Sequence, residues 1–285
     1  MLKANSLITT RSRLSIYRLL KGNSVGLTIG LLLTLVIITP LLVVAIWSVT
    51  EVWRYPALIP QKFGFRFWHQ ILSRADVWHS IFLSISLATT VTLISAIVCL
   101  PAAYAFSRIS FPGRRILFLS FLASQAFPKF GLLVTIATIF LKVNLIATFW
   151  GVALIQLVGT FMLMIWIPAS AFQSVDRRME EAAHDVGASS MRVFWSITLP
   201  QAMPTISAAL LLTFISTFYE TEGAWLIGAP EIRTIPVLMI NFINNEAVIQ
   251  YGAVLSIMLW VPSLFVLFFS RKALGSGIFA KGFGA

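Results

Sequence analysis

Six apolar stretches, each long enough to cross a lipid bilayer, limit what this chain can fold into. A transmembrane helix needs about 20 consecutive apolar residues to cross a hydrocarbon core of about 30 Å. Apolar residues occupy 58% of the 285 positions and charged residues 11%, against roughly 25% charged in soluble domains. We therefore predict an all-α polytopic membrane protein whose six transmembrane helices lie near residues 24–48, 80–106, 116–141, 150–172, 205–227 and 251–270.

The distribution of basic residues predicts the orientation of these helices. If the N-terminus is cytoplasmic, 14 of the 21 Lys and Arg residues lie in cytoplasmic segments, six lie outside, and Lys129 lies within a span. The positive-inside rule then favours two cytoplasmic termini. A nucleic-acid-binding protein would instead cluster its basic residues on one water-facing surface. The chain divides into a basic N-terminal segment (1–23), a transmembrane domain (24–270) with an outer loop at 50–79 and a cytoplasmic loop at 173–204, and a cytoplasmic tail (271–285).

Few residues in the chain are suited to covalent chemistry or to metal binding. Cys99 is the only cysteine, so an intramolecular disulfide is excluded, and the three histidines are scattered. Neither a metal site nor a redox pair is predicted. A membrane-embedded enzyme would have to use the outer residues His69, His79 and Asp76, which we interpret as interfacial side chains.

Three ionisable residues lie within or beside the apolar stretches, namely Lys129, Glu220 and Glu222. Charge at such depth usually faces a cavity or a partner and marks a transport pathway. The alternative is an interfacial position, which a long lysine side chain reaches by snorkelling. Pro101 and Pro128 should kink or interrupt their helices, and segment 108–115, with Pro112 and Gly113, is expected only to connect two spans.

The cytoplasmic loop at 173–204, which we call the polar insert, has the pattern of two short helices joined by a glycine. Residues 176–186 place Met179, Ala182, Ala183 and Val186 on one helical face. Gly187 follows as a left-handed stop. Ser189 or Ser190 can then cap a second helix on which Met191, Phe194 and Trp195 share a face.

This helix, glycine, helix pattern predicts a docking site on the polar insert. Met191 and Phe194 should project from the bend beside Arg192, and Met, aromatic and Arg side chains contribute much of the binding energy in protein interfaces. The alternative is an amphipathic helix on the inner leaflet, which the acidic residues Glu180, Glu181 and Asp185 disfavour because anionic lipids repel them.

The same residues resemble the signature of type I ABC importer permeases. Glu181, Ala182 and Ala183 are followed after three intervening residues by Gly187, and after nine further intervening residues by Ile197, Leu199 and Pro200. The resemblance implies six spans in a bacterial inner membrane and coupling helices between the fourth and fifth spans. It also implies that a cytoplasmic ATPase subunit is contacted by Glu181, Ala182, Ala183, Gly187, Ala188, Met191, Arg192 and Phe194.

The resemblance also implies the partners of such a permease: a second permease, identical or different, two ATPases and a solute-binding protein outside. This chain has no G-x-x-x-x-G-K-[ST] phosphate loop, so ATP and Mg²⁺ would be bound by the partner ATPase and not by this chain. The chain itself is expected to be non-catalytic.

Two groups of permeases share features with this chain, and they differ in substrate. The C-terminal sequence SGIFAKGFGA is similar to the tail of maltose-type sugar permeases, whereas DVGAS around Gly187 and WRYPALIP in the outer loop are similar to permeases for polyamines, iron, thiamine or phosphonates. Both substrate classes remain open at the level of sequence. The competing function is an ion channel or proton-coupled secondary transporter in which Lys129, Glu220 and Glu222 form an ion relay.

Overall fold

The computed structural model describes residues 24–123, 128–246 and 248–274, which form a helical bundle. The tail sequence SGIFAKGFGA and the basic segment 1–23 lie outside these described residues. Within them, four helices are long and apolar enough to cross a membrane, and they span Gly26–Ser48, Ala75–Arg108, Phe149–Ser174 and Ser190–Phe218. A further helix begins with the apolar segment Ile249–Phe265.

The order of elements along the chain begins with α1 (Ser24–Ser48), β1 (Thr50–Val52), β2 (Lys62–Phe63), α2 (Arg66–Leu72), α3 (Ala75–Arg108), α4 (Arg114–Ala123), α5 (Lys129–Lys142) and α6 (Phe149–Ser174). It continues with α7 (Arg177–Asp185), α8 (Ser190–Val193), a π-helical turn (Phe194–Thr198), α9 (Leu199–Phe218), α10 (Glu222–Gly228), α11 (Ile235–Asn241), a second π-helical turn (Phe242–Glu246) and α12 (Ile249–Leu274).

The third and fifth apolar stretches each contain two helices rather than one. The stretch at 116–141 holds α4 and α5, with residues 124–127 outside the described part, and Pro128 lies directly before α5. The stretch at 205–227 is divided because α9 ends at Phe218 and α10 begins at Glu222. The prediction of one continuous helix over 205–227 is therefore wrong. By contrast, α3 continues through Pro101 to Arg108.

The core lies where α3, α6 and α9 pack together. Small side chains that are almost fully buried line this contact, namely Ala103 on α3, Ala169 on α6 and Ala202 on α9. Small residues let transmembrane helices approach closely. Deeper in the bundle, the buried hydroxyls of Ser95 on α3 and Thr160 on α6 lie 2.6 Å apart and form a hydrogen bond. These contacts make the three helices the central unit of the fold.

Helix α1 lies at the edge of this unit and packs against α12. Its leucines are largely exposed, for example Leu31 at 63% and Leu35 at 64%. A helix that is apolar all round and exposed in this way is suited to lipid contact. The outer loop that follows α1 forms a small antiparallel hairpin of β1 and β2, beside which Trp47 and Trp53 stack at 4.7 Å.

Two glycines of α6 provide a test of the packing. A methyl group at Gly151 would overlap the backbone carbonyl oxygen of Leu145, whereas one at Gly159 would meet nothing within 4 Å. Gly151→Ala should therefore destabilise the protein by about 1–3 kcal/mol, and Gly159→Ala should be neutral or stabilising by about 0.5–1 kcal/mol. Thermal unfolding of the two variants in detergent measures the difference, and equal midpoints would contradict this packing of the α6 N-terminus.

Candidate functional site

The polar insert folds into two short helices because each end has a matching local signal. The side chain of Asp176 accepts a hydrogen bond from the backbone N–H of Arg178 at 3.0 Å and caps α7. Gly187 ends α7 with φ of +85°. The backbone N–H of Ala188 then donates a hydrogen bond to the carbonyl oxygen of Ala183 at 3.0 Å, and Ser189 caps α8. The predicted glycine stop and serine cap are both present.

The bend at Gly187 presents several side chains to the outside of the bundle. Val186 is 85% exposed and Met191 is 67% exposed, and the neighbouring residues Glu181, Ala182 and Arg192 are also exposed. Ala183 and Ala188 are half-buried, since they lie on the inner side of the bend. The predicted docking residues therefore form one surface around Gly187, apart from Phe194.

Phe194 does not project from the bend as the sequence pattern predicts. Its ring packs edge-on against Tyr104 of α3, with centroids 5.1 Å apart, and against Phe172 of α6 at 6.3 Å. The helix is regular from Met191 to Phe194, and the π-helical turn begins only at Phe194. Three residues of helix rotate by about 300°, so the two side chains point about 60° apart and one can pack on the bundle while the other is exposed. Trp195, at 61% exposed, faces outward instead.

The opposite side of the polar insert is fixed to the bundle by a buried ion pair that the sequence pattern did not predict. Arg108, at the end of α3, donates from Nη2 to Glu180 Oε1 at 3.0 Å and to the carbonyl oxygen of Val175 at 2.9 Å. Thr198 donates its hydroxyl to the same Glu180 oxygen at 2.6 Å. The side chains of Arg108 and Glu180 are only 8% and 15% exposed. Segment 108–115 is therefore more than the plain connection predicted.

At the other end of the bundle, the structure brings the three ionisable residues together. Lys129 Nζ lies 3.1 Å from Glu222 and 3.6 Å from Glu220. The Glu220 carboxylate is 13% exposed and also accepts hydrogen bonds from the backbone N–H groups of Gly223 and Ala224. It is therefore held in place at the start of α10. Glu222 and Lys129 are more than half exposed.

A cavity of about 250 Å³ lies beside this cluster, between α5, α6 and α9. Its polar lining includes Gln156 and Thr217, which are 4% and 5% exposed, and the Oε1 atom of Gln156 and the Oγ1 atom of Thr217 have no hydrogen-bond partner. Such buried polar atoms normally bind water or a ligand. The lining residues are Lys129, Leu132, Leu133, Ile155, Gln156, Val158, Gly159, Thr160, Ser216, Thr217 and Glu220.

Sequence reasoning found the charged members of this cavity but not Gln156 or Thr217. Charges within apolar stretches are visible in a sequence, whereas a glutamine or threonine in a transmembrane helix has no signal that distinguishes it from a packing residue. Of the outer residues considered for an enzyme site, Asp76 pairs with Arg74 at 3.1 Å. Within residues 24–123, 128–246 and 248–274, no three His, Cys, Asp or Glu side chains are grouped as metal ligands.

Comparison with known proteins relates this geometry to a family. Residues 97–278, which include the polar insert and the cavity, match the model of the binding-protein-dependent transport system inner membrane component. Similar proteins include the maltodextrin transport system permease protein MdxG of Bacillus subtilis, which is 29% identical over 72% of this chain and 74% of that protein. The trehalose/maltose transport system permease protein MalG of Thermococcus litoralis is 30% identical over 69% of this chain and 72% of that protein.

Solved structures share the fold. A bacterial ABC transporter involved in the import of the acidic polysaccharide alginate superposes with a TM-score of 0.70 at 20% identity, and the match covers 91% of this chain and 98% of that chain. The MetNI methionine ABC transporter, in an inward-facing conformation, superposes with a TM-score of 0.57 at 15% identity. The match covers 71% of this chain and 97% of that chain.

These matches confirm the family that the residues around Gly187 indicate. The family model covers more than half of the chain, and the trehalose/maltose relative reaches 30% identity over most of both proteins. The chain belongs to the family of binding-protein-dependent transport system inner membrane components and is a non-catalytic permease subunit of an ABC importer.

Proposed function

We propose that this permease forms half of the membrane pathway of an oligosaccharide importer and receives its motion through the polar insert. It pairs with a second permease, two ATPases that bind ATP and Mg²⁺, and an external solute-binding protein. The observation that carries the proposal is the exposed surface around Gly187, whose opposite side is fixed to the bundle.

The membrane arrangement follows from the helices and the charges. The proposed six crossings use α1, α3, α4 with α5, α6, α9 and α12, with both termini in the cytoplasm. Two short helices can share one crossing where the break between them faces protein or water instead of lipid. Glu220, in the break after α9, fits this requirement because its carboxylate accepts two backbone N–H groups.

The surface around Gly187 has the composition of a protein interface. Val186 and Met191 are exposed apolar side chains, and Arg192 and Glu181 lie beside them. Apolar groups at the centre of a contact with charged groups around them are typical of protein–protein sites. We assign ATPase docking to Glu181, Ala182, Ala183, Gly187, Ala188, Met191 and Arg192, and we assign Phe194 to the bundle side of the same element.

Docking of this kind explains how a chain without an ATP site uses ATP. Closure of the ATPases moves the polar insert, and the insert moves α3, α6 and α9 because it is packed against all three. The permease halves then change between inward-open and outward-open states. Such switching requires each state to have its own stabilising contacts.

The cavity beside Gln156 is the proposed part of the solute route. Its free carbonyl and hydroxyl oxygens can bind a hydroxyl-rich neutral solute, and its apolar lining suits the faces of sugar rings. Lys129 and Glu220 line one side of the cavity, and Lys129 also pairs with Glu222, so the three residues would border the route. Their mutual pairing favours this role over an ion relay, which needs groups that are free to exchange protons.

The substrate class is inferred from the relatives. Several relatives are permeases named for maltodextrin, trehalose or maltose, which favours carbohydrate over polyamines, thiamine or phosphonates. Uptake of labelled maltodextrins, trehalose, spermidine and thiamine by proteoliposomes with the complete importer tests this choice. Uptake of spermidine or thiamine alone would contradict it, and uptake that persists without ATP would favour the channel or secondary transporter.

A substitution of Gly187 tests the docking role. Gly187→Leu places a bulky side chain at φ of +85°, which costs about 1–2 kcal/mol, and it should also displace the docking surface. We expect the variant to lose co-purification with the ATPase and to lose uptake while it still inserts into the membrane.

Gly113→Leu is the matched control for this substitution. Gly113 has φ of +78° and, like Gly187, has open space around it, but it lies in the turn between α3 and α4. The two variants should lose similar stability, and only the Gly187 variant should release the ATPase. If both variants retain the ATPase, or if both lose it, the docking role of the bend is wrong.

Two buried threonines of α9 test the route. Thr213 and Thr217 both have a hydroxyl without a partner, but only Thr217 lines the cavity. Thr217→Val should lower sugar uptake by about two-fold to ten-fold, the usual effect of one lost hydrogen bond, and Thr213→Val should leave uptake unchanged. Initial uptake rates at equal amounts of importer measure this, and equal rates for the two variants would contradict the assignment of the cavity.

A further inference from the structure

The contacts of the Glu180 and Arg108 side chains together join four elements of the fold. Glu180 lies on α7 of the polar insert, and its Oε1 atom accepts hydrogen bonds from Arg108 at 3.0 Å and from Thr198 at 2.6 Å. Arg108 belongs to the last turn of α3, and Thr198 lies directly before α9. The same Arg108 nitrogen donates to the carbonyl of Val175, the residue that follows α6.

A second set of contacts connects the same elements without using charge. The ring of Phe194 packs edge-on against Tyr104 of α3 and lies against Phe172 of α6. Phe194 is the first residue of the π-helical turn that leads into α9. Polar and aromatic contacts therefore both attach the polar insert to α3, α6 and α9.

The ion pair lies too deep in the protein to be part of a docking surface. The Arg108 and Glu180 side chains are 8% and 15% exposed, whereas the next residue, Glu181, is exposed. Two successive acidic residues therefore have different surroundings. Glu181 faces away from the bundle, and Glu180 faces into it.

We propose that Arg108 is a positioning residue for transport: through Glu180, Thr198 and the Val175 carbonyl, it makes the polar insert move as one body with α3, α6 and α9. The proposal rests on the docking role proposed above, and it concerns how motion continues after docking. A polar insert without this connection would still bind the ATPase, but only the continuous chain and the ring contacts of Phe194 would transmit its motion, so less of that motion would reach the helices.

The connection is strong enough for this role because it is buried. A buried charge that loses its partner is strongly unfavourable, so the insert cannot separate from α3 without leaving the Arg108 side chain, which is 8% exposed, without its partner carboxylate. Both hydrogen bonds of Arg108 come from Nη2, which therefore reaches the Glu180 carboxylate and the Val175 carbonyl at the same time.

The experiment uses the complete importer in proteoliposomes and measures solute transported per ATP hydrolysed. Arg108→Met should leave the ATPases bound and lower this ratio by about five-fold or more, the usual scale of coupling between sites. A merely structural role would lower the amount of assembled importer and leave the ratio unchanged. Arg115→Met, which removes a positive charge from an exposed position near the same end of the bundle, is the control and should keep the wild-type ratio.

The double variant Arg108→Met with Glu180→Met identifies the cause of the defect. If the two residues act as one connection, the double variant should have the same low ratio as Arg108→Met, since contacting residues are not additive. A double variant with the wild-type ratio would show that an unpaired buried charge, and not a lost connection, caused the defect. That result, or a wild-type ratio in Arg108→Met, would overturn the proposal.

Thr198→Val provides a test if the arginine variant cannot be recovered as a complex. It removes one hydroxyl and leaves the ion pair in place, so the fold should be kept. The hydrogen bond between Glu180 and the start of α9 is lost, and the amount of solute transported per ATP should fall. An unchanged ratio in Thr198→Val would then overturn the proposal. Failure of the proposed docking role is distinguishable, because in that case Gly187→Leu would retain the ATPases, whereas failure of the present proposal leaves that result unchanged.

Discussion

The ion pair between Arg108 and Glu180 joins the polar part of this permease to its apolar helices. Both groups are largely buried, and breaking one such pair typically costs roughly 3–5 kcal/mol because an uncompensated charge remains inside. The polar insert would otherwise be attached to α6 and α9 at its two chain ends and to the bundle by the ring contacts of Phe194 with Tyr104 and Phe172. With the pair in place, it is also fixed to α3, the longest helix described, and its outer side is left exposed around Gly187.

At the other end of the bundle, charged groups again fix the structure while neighbouring groups are left without protein partners. Glu220 is held by two backbone N–H groups and by Lys129, while Gln156 and Thr217 have polar atoms without partners that line the neighbouring cavity. The charges of these two clusters therefore fix the structure, and the neutral polar atoms of Gln156 and Thr217 remain without protein partners. This division suits the uncharged sugar proposed above as the solute, because a neutral solute gains nothing from an ion pair.

Much of the fold could be predicted from sequence, and the reasons for the failures are physical. The apolar stretch at 24–48 coincides with α1, and the stretch at 150–172 lies within α6, because hydropathy alone determines a long uniform helix. The stretch at 205–227 was predicted as one helix and contains parts of two. Hydropathy is averaged over many residues, so it does not reveal a helix end that depends on one side chain. Here the Glu220 carboxylate accepts hydrogen bonds from backbone N–H groups where the helical run ends. The stop at Gly187 and the cap at Ser189 were visible because they depend only on neighbouring residues.

The connection through Arg108 could not be predicted because it joins residues 72 positions apart, and no periodic pattern relates them. The most direct test of the account is the distance between spin labels placed at residues 110 and 185 of a Cys99→Ala permease in the complete importer. We expect the same narrow distance distribution without nucleotide, with ATP and during solute transport, because the polar insert and α3 move as one body. A distribution that shifts or broadens when ATP binds would contradict this account.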